Sequence, residues 1–365
     1  MCVIILGRLG KKEKEKEKNM KKRILAMMMT AILALSLTAC GGSSEEAGTS
    51  ADKKDFKVGL VTDVGGVEDQ SFNQSAWEGL QRAEKELGVT VNYLASTTDA
   101  DYAPNIETFV DEEYDLIICV GYMLAEATRA GAENYPDQQF VIVDDSSNAD
   151  LDNVSCLMFK AEQASYLVGY VAGMMTETDS VGLVLGMASE TMHTFGYGYS
   201  AGVLDANPNA KILQANANSF GDPALGTSLA TNFITNGADV IFHAAAATGT
   251  GVITECEAKG AMAIGVDSDQ NYLAPETVIT SAMKRVDNAV YDVVEKLVNG
   301  ELDGGITTYD LTNEGVDIAP TTTLLSDEVI SAVEDVKAKI ISGEIEVPAT
   351  KEAFEASYGD VYELD

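Results

Sequence analysis

Residues 57–79 read KVGLVTDVGGVEDQSFNQSAWEG, and this stretch decides the fold class of the chain. Its apolar run at 58–61 predicts a short buried strand, which ends at the turn that begins with Asp63. Ser71 is a candidate N-cap of a helix, because the apolar residues after it recur at helical spacing. A strand, a glycine-containing loop and a helix in this order place ligands at the carboxyl ends of parallel strands.

The loop between this strand and this helix carries side chains that suit a ligand. Asp63, Asp69, Phe72 and Asn73 offer carboxylate acceptors, one aromatic face and an amide. Such a set favours a polar ring with hydroxyl groups over a phosphate, which two carboxylates would repel. The loop alone is equally consistent with a solvated turn in which Phe72 packs into the core.

Short apolar runs alternate with amphipathic segments along the rest of the chain. Further strands are predicted at 89–94, 116–120, 140–143, 181–185, 211–213, 240–242, 262–266 and 278–280, and helices at 162–175 and 223–235 among others. Strands that alternate with helices indicate parallel sheets covered on both faces. About nine strands over this length predict an α/β protein of two doubly wound parallel-sheet lobes.

The two lobes are expected to exchange chain segments, because no Pro-, Gly- or Ser-rich linker separates the halves of the sequence. We expect residues 56–145 and about 279–302 in the first lobe, and 146–278 and about 303–325 in the second. Residues 326–365 are expected to form a C-terminal helix and a tail that pack on the lobes.

The N-terminal region has the pattern of a secretory signal. A basic segment at 20–23 precedes an apolar stretch at 24–38, which is too short to be a convincing membrane span. The stretch ends in Leu-Thr-Ala-Cys, which resembles the bacterial lipobox, so residues 1–39 are predicted to be a signal peptide and Cys40 the lipidated residue. Residues 40–55 then form a flexible tether on the outer face of the cell membrane. Because 1–19 precede a complete signal, we interpret Met20 as the true start.

Composition limits the possible partners. The net charge is −34, and loss of residues 1–39 takes it to about −40, which disfavours nucleic acid and anionic lipid headgroups. Cys119 and Cys156 lie in apolar or mixed runs and are expected to be buried. No CxxC or histidine-rich spacing occurs, so no metal site, disulfide or cofactor is predicted.

Enzyme classes find little support in the sequence. It holds only two histidines, His193 and His243, and no G-x-S-x-G motif, so no catalytic function is predicted. The turn at 248–251, TGTG, suits either an oxygen-rich ligand or a tight strand-to-helix connection. Lys284 follows a strand in a very acidic chain, where it is expected to bind a ribose hydroxyl, to neutralise Asp267 or to form a surface salt bridge.

Five motifs in this order resemble the basic-membrane-protein family, the purine-nucleoside-receptor-like lipoproteins of ABC importers. They lie at 63–79 (DVGG…DQSFN…WEG), 159–169 (FKAEQASYLVG), 237–242 (GADVIF), 265–270 (GVDSDQ) and 281–284 (SAMK). The resemblance covers roughly residues 57–316. It implies a periplasmic-binding-protein type I fold, in which two α/β lobes joined by a multi-crossing hinge close on a ligand.

The resemblance also implies roles for individual residues. In the family a purine stacks between aromatic rings, which Phe72 and Phe220 match here. Asn73 and Asp144, with Asp145 as an alternative match, correspond to positions that hydrogen-bond the base. The family's small-residue turn carries Ala244 and Ala246 in this chain, where extra methyl groups narrow the pocket. The matched residues are, in full, Asp63, Phe72, Asn73, Asp144, Phe220, Ala244, Ala246, and, for the ribose hydroxyls, Asp267 and Lys284.

The partners that the resemblance implies are a purine nucleoside, such as adenosine, guanosine or inosine, and the permease and ATPase subunits of an ABC importer. The chain is expected to contact the membrane only through its N-terminal lipid. It is expected to be a monomer. Two alternatives stay open: the same fold binding another ring, such as a flavin, and a sensory receptor that signals without import.

Overall fold

The computed structural model of this chain describes residues 54–364. The signal peptide, Cys40 and nearly all of the tether predicted above lie outside the described residues. Between residues 54 and 364, no helix combines the length and the apolar character needed to cross a membrane.

The first lobe is built on a six-stranded parallel sheet. Its strands are β1 (Lys57–Val61), β2 (Thr90–Leu94), β3 (Leu116–Val120), β4 (Gln139–Val143), β5 (Val154–Phe159) and β11 (Gly305–Tyr309), in the order β11-β5-β4-β3-β1-β2. Helices α1 (Phe72–Leu87) and α8 (Val286–Asn299) contribute to the core on one face, and α2 (Tyr102–Asp111) and α3 (Ala125–Asn134) to the core on the other. The inner strands are apolar along their whole length because both of their faces are buried.

The second lobe repeats this arrangement. Its strands are β6 (Ser180–Leu185), β7 (Lys211–Asn216), β8 (Val240–Ala244), β9 (Met262–Asp267), β10 (Val278–Lys284) and β12 (Val316–Ile318), in the order β12-β10-β9-β8-β6-β7. Only β12 is antiparallel to its neighbour within this sheet. The helices of this lobe are α4 (Ala161–Met175), α5 (Glu190–Ala206), α6 (Pro223–Thr235) and α7 (Ala246–Lys259).

Both sheets share one strand order, in which the first strand lies between the second and the third. In such open sheets a crevice forms outside the carboxyl ends of the strands, at the point where the strand order reverses. The predicted fold class, two doubly wound α/β lobes, is confirmed. The order also predicts where a ligand site belongs, at the ends of β1, β3 and β4 in one lobe and of β6, β8 and β9 in the other.

The boundaries between the lobes differ from those expected from the sequence. Residues 154–159 form β5 and belong to the first sheet, so the first crossing follows Phe159 and not residue 145. The loop after Asp144 returns the chain to the same lobe, held by Asn148, whose amide donates to the carbonyl oxygen of Ala125 at 3.0 Å. The mixed composition of VSCLMF hid this strand, since the polar Ser155 interrupts its apolar run.

The later boundaries are corrected in the same way. Strand β10 lies in the second sheet, not in the first lobe, whereas β11 lies in the first sheet, not in the second lobe. Helix α8 returns to the first lobe, where it packs on α1. Two of the five residues of the edge strand β11 are exposed, which explains why no apolar run marked it. The last helices, α9 (Asp327–Ile341) and α10 (Lys351–Tyr358), pack on α4 and α5 of the second lobe.

Three segments of chain cross between the lobes, at about residues 160, 285 and 310–315. Backbone hydrogen bonds tie them together: Lys160 N–H donates to the Tyr309 carbonyl at 2.9 Å, and Arg285 N–H donates to the Gly315 carbonyl at 2.9 Å. The Phe159 and Tyr309 rings stack beside them with centroids 5.0 Å apart. The hinge is therefore a connected unit and not a set of loose linkers.

The predicted burial of two cysteines is confirmed. Cys119 and Cys156 are fully buried in the first lobe, on the face of the sheet that α2 and α3 cover. Burial raises the pKa of the Cys119 thiol to about 12, so it remains protonated and behaves as a small apolar side chain.

Helices α4 and α5 pack closely because small residues face each other along their contact. A β-carbon at Gly202 would lie only 2.1 Å from the carbonyl oxygen of Tyr166 on α4, so this position has no room for any side chain. The pair forms one wall of the second lobe and carries part of the site described below, which makes its spacing important beyond stability.

We expect Gly202→Ala to lower the free energy of unfolding by about 1–3 kcal/mol, because the added methyl group forces the two helices apart. Guanidinium unfolding followed by circular dichroism measures this change. Gly221→Ala is the control, since a β-carbon there meets a single atom, the Val64 carbonyl oxygen, at 3.8 Å. If both variants unfold at the same denaturant concentration as the parent chain, the close approach of α4 and α5 is wrong.

Candidate ligand-binding cleft

The carboxyl ends of the two sheets meet around one cavity, whose empty space, including the part open to solvent, is about 480 Å³. Residues from both lobes line it: Asp63, Phe72, Gly121, Tyr122 and Asp144 from the first, and Thr191, Met192, Phe195, Phe220, Ala244, Ala245, Ala246, Val266, Asp267 and Lys284 from the second.

The cavity brings together eight of the nine residues that the sequence predicted to touch a ligand. The exception is Asn73, which is fully buried at the start of α1 but does not line the cavity. Its amide donates to Asp63 Oδ1 at 2.7 Å and to Asp69 Oδ2 at 3.0 Å, and its oxygen accepts from the Asp63 N–H at 3.3 Å. Asn73 therefore orients Asp63, and the donor and acceptor groups of its side chain are used in bonds to Asp63 and Asp69.

Asp69 caps helix α1, a role that the sequence had suggested for Ser71. One oxygen of the Asp69 carboxylate accepts from the N–H groups of Ser71 at 2.9 Å and Gln74 at 3.0 Å, and the other accepts from Asn73 N–H at 2.9 Å. Ser71 occupies the N-cap position, but its side chain accepts no capping bond and instead donates to Asp267 of the second lobe. A buried carboxylate on the free N–H groups of a helix fixes the whole loop.

Asp63 follows β1 and is almost fully buried. Its Oδ1 accepts from the Gly65 N–H at 2.8 Å as well as from Asn73. Burial raises the pKa of this carboxyl group to about 6, against the lowering effect of the two hydrogen bonds. The group is an acceptor at neutral pH, held in place by neighbours on its own loop.

Lys284 and Asp144 form a buried ion pair across the cleft. Asp144 stands at the end of β4 in the first lobe and Lys284 at the end of β10 in the second. The Lys284 ammonium also lies 4.6 Å from the centroid of the Phe72 ring and 5.1 Å from that of Phe159. Because its side chain is only 3% exposed, the alternative of a surface salt bridge is excluded.

Asp267 ends β9 and is held by residues of both lobes. Burial raises its pKa to about 6, and the neighbouring Lys284 and the hydroxyl of Ser71 act in the opposite direction. Both Asp267 and Asp144 have positive φ angles, 64° and 65°, in a region that side chains with a β-carbon seldom adopt. Strained backbone of this kind concentrates at binding and catalytic sites, where the surrounding fold imposes it.

The TGTG segment lies in the first turns of helix α7, not in a turn before the helix, and it holds a neighbouring loop in place. Thr248 Oγ1 donates to the Ser219 carbonyl at 3.0 Å and accepts from the Asp222 N–H at 2.9 Å, and the Thr248 N–H donates to the Phe220 carbonyl at 3.1 Å. These bonds fix the loop that carries the Phe220 ring into the cavity. The alanines just before this segment, Ala244, Ala245 and Ala246, line the cavity.

Helix α5 contributes residues that the sequence did not single out. Thr191, Met192 and Phe195 line the cavity from its first turns, and the Thr191 hydroxyl donates to the Asp144 carbonyl at 3.4 Å. Their apolar spacing is that of an ordinary core helix, so no local signal marks them. Neither histidine lines the cavity: His193 bonds through Nδ1 to the Tyr362 hydroxyl at 2.8 Å, and His243 is fully buried in β8.

Two α/β lobes that are joined by a hinge and enclose a cavity at the ends of their strands are the architecture of bilobal solute-binding proteins. Residues 56–351 match the Bmp family model, described as ABC transporter substrate-binding protein PnrA-like, and the chain belongs to this family.

Relatives cover nearly the whole chain. A Listeria innocua protein named CD4+ T-cell-stimulating antigen is 41% identical over 355 residues, 90% of this chain and 99% of that protein. The ABC transporter nucleoside-binding protein BmpA of Lactococcus lactis is 36% identical over 353 residues, 90% of this chain and 100% of that protein. The crystal structure of an ABC transporter system solute-binding protein from Aeropyrum pernix is 28% identical, with a TM-score of 0.76 over 85% of this chain and 100% of that one.

These comparisons confirm the family resemblance and the type I periplasmic-binding-protein fold. The chain is an ABC transporter substrate-binding protein, and the prediction that it is not an enzyme is confirmed by its family.

The raised pKa of Asp63 makes stability depend on pH. Between 3.8, its ordinary pKa, and about 6, the folded state binds more protons than the unfolded state, so the stability contributed by this group falls as the pH rises. In Asp63→Asn the amide oxygen still accepts from Gly65 and Asn73. We expect this variant to gain about 1–3 kcal/mol relative to the parent chain between pH 4 and pH 7.

Urea unfolding at a series of pH values measures this gain. Asp111→Asn, which removes an exposed carboxylate at the end of α2, is the control and should give a curve parallel to that of the parent chain. A parallel curve for Asp63→Asn would contradict the burial of an ionised Asp63.

Proposed function

We propose that this chain captures purine nucleosides in the cleft between its lobes and delivers them to the permease of an ABC importer. The observation that carries the proposal is the joint presence, in one cavity, of phenylalanine rings and of carboxylates from both lobes. A nucleoside has one flat aromatic part and one part rich in hydroxyl groups, and it needs both kinds of partner. The name of the Lactococcus relative, a nucleoside-binding protein, supports the same assignment.

The aromatic part of the ligand is assigned to Phe72 and Phe220. Phe72 begins α1 in the first lobe, and Phe220 lies on the loop that Thr248 fixes in the second. Rings contributed by opposite lobes would hold a purine from both faces once the lobes close, with about 1–3 kcal/mol from each stacked face. Asp63 and Asp144 are the acceptors that we assign to the polar edge of the base.

The sugar is assigned to Asp267 and Lys284. A carboxylate accepts hydrogen bonds from two adjacent hydroxyl groups, and an ammonium group donates to their oxygen atoms. Asp267 is already oriented by Ser71, and Lys284 by Asp144, so neither side chain has to search for its position when a ligand binds. Such preorganisation lowers the entropic cost of binding.

The charge of the cavity favours a neutral ligand. Three aspartates and one lysine line it, and the lysine is paired with Asp144. A phosphate group would therefore meet uncompensated negative charge in a poorly hydrated space. We propose that nucleosides are bound and nucleotides are rejected.

We further propose that Cys40 carries a lipid that anchors the chain on the outer face of the cell membrane, with the permease and ATPase in the same membrane. The signal-peptide pattern before Cys40 supports this assignment. Palmitate labelling of cells that express the full chain tests it, and Cys40→Ala should abolish the label and release the protein.

A thermal-shift screen of the purified protein tests the choice of ligand. Adenosine, guanosine and inosine are compared with uridine, free bases, riboflavin, arabinose and guanosine monophosphate. A ligand at one hundred times its dissociation constant adds about 2.7 kcal/mol to the free energy of unfolding, enough for a clear rise in the midpoint. We expect a rise with purine nucleosides and none with the nucleotide. A response to riboflavin alone, or to no nucleoside, would contradict the proposal.

Asp267→Asn separates the sugar from the base. An amide forms weaker hydrogen bonds to hydroxyl groups than a carboxylate does, so we expect the affinity for inosine to fall about tenfold and that for hypoxanthine to fall less than about threefold. Isothermal titration calorimetry measures both. Asp269→Asn is the matched control, because Asp269 lies two residues further on and bonds only to N–H groups of its own lobe, those of Asn271 and Thr321. Equal losses for nucleoside and base would contradict the assignment of Asp267 to the sugar.

A further inference from the structure

One hydrogen bond joins the lobes through a residue that does not line the cavity. The Gln270 side chain donates through Nε2 to the backbone carbonyl of Gln70 at 2.8 Å. Gln70 belongs to the loop of the first lobe that also carries Asp63 and Asp69, whereas Gln270 begins the turn after β9 in the second lobe. Gln270 is completely buried although it is polar.

The amide of Gln270 is fixed in a single orientation by its partners. Its oxygen accepts from the Val266 N–H at 2.9 Å, so its NH₂ group must point to the other side, where the Gln70 carbonyl accepts. The Gln270 N–H donates in turn to the Ser281 hydroxyl at 3.1 Å. The side chain at position 270 must offer an acceptor to the Val266 N–H and a donor to the Gln70 carbonyl. Only glutamine has this pair of groups at this length.

The backbone on both sides is shaped to make room for this bond. Gly265 leaves the space that the side chain occupies, since a β-carbon there would lie 2.6 Å from Gln270 Oε1. On the opposite lobe, Gln70 has a φ of 57°, an unfavourable conformation for a residue with a side chain, and its carbonyl is directed at Gln270. A second hydrogen bond between the lobes, from the Ser71 hydroxyl to Asp267, lies one residue from Gln70 and three residues from Gln270 in the sequence.

We propose that Gln270 is a positioning residue for ligand capture, a latch that holds the lobes closed through the Gln70 carbonyl without touching the ligand. It links the loop of Asp63 and Phe72 to the strand end of Asp267, so the walls that we assign to the base and to the sugar are kept in register. The proposal rests on the proposed function for its ligand, but the bond itself joins the two lobes whatever the ligand is.

The test uses two variants. Gln270→Met keeps the length of the side chain and removes both the NH₂ donor and the oxygen acceptor. Gln270→Glu keeps the shape and replaces the NH₂ donor with an oxygen. The matched control is Gln214→Met. Gln214 also uses both ends of its amide on backbone groups, the Val361 carbonyl at 2.8 Å and the Glu363 N–H at 3.1 Å, but within the second lobe. The midpoint of thermal unfolding checks that each variant is folded, and Gln270→Glu replaces Gln270→Met if the latter is not.

The first readout is the kinetics of inosine binding, followed by stopped-flow fluorescence of Trp77, the only tryptophan in the chain. A latch acts after the ligand has entered, so we expect the dissociation rate to rise about tenfold in both Gln270 variants and the association rate to change less than about twofold. Gln214→Met should leave both rates unchanged.

The second readout needs no nucleoside. Hydrogen–deuterium exchange of residues 64–72, in the first lobe, should become at least about threefold faster in the Gln270 variants and stay unchanged in Gln214→Met. A purely local role of Gln270 would speed exchange only around 264–273. The latch is overturned if exchange of 64–72 does not change, or if inosine dissociates within about twofold of the parent rate. A parent chain that binds no nucleoside overturns the proposed function instead, and the exchange experiment then decides the latch alone.

Discussion

The ammonium group of Lys284 is the constraint on which the cleft depends. Three aspartates line the cavity, and Lys284 is the one cation among the lining residues. Carboxylates that are removed from water are tolerated only beside a cation or hydrogen-bond donors. Because Lys284 comes from the second lobe and its partner Asp144 from the first, the same ion pair that compensates the buried charge also draws the lobes together. The Lys284–Asp144 ion pair therefore belongs both to the lining of the cavity and to the contact between the lobes.

The architecture explains how so many polar groups reach one place. Asp63, Asp144, Asp267 and Lys284 each stand at or just after the carboxyl end of a parallel strand, and the two sheets present these ends to each other. Around this inner set, Asp69, Asn73, Thr248 and Gln270 touch no cavity surface but fix the loops that do. Supporting shells of this kind hold binding groups within the narrow geometric limits that recognition needs.

The sequence predicted the strands and the strand-end aspartates because buried parallel strands are apolar along their whole length and end in polar turns. It missed β5 and β11, whose composition is mixed, and the three-residue β12, and so it placed the lobe crossings too early or too late. Ser71 takes the predicted N-cap position, but the side chain that bonds the free N–H groups of the helix is that of Asp69. Asn73 lies behind the cavity wall, where its amide bonds Asp63 and Asp69. Contacts between lobes, such as that of Gln270 with Gln70, join residues 200 positions apart and leave no local pattern.

A crystal structure of the protein grown with guanosine tests the central claim most directly, that a purine nucleoside is held between the two lobes. The purine ring should lie between Phe72 and Phe220, and the ribose hydroxyls should lie within hydrogen-bond distance, about 2.6–3.2 Å, of Asp267 and Lys284. A cleft that holds no guanosine at saturating concentration, or guanosine bound outside the cleft, would contradict the claim.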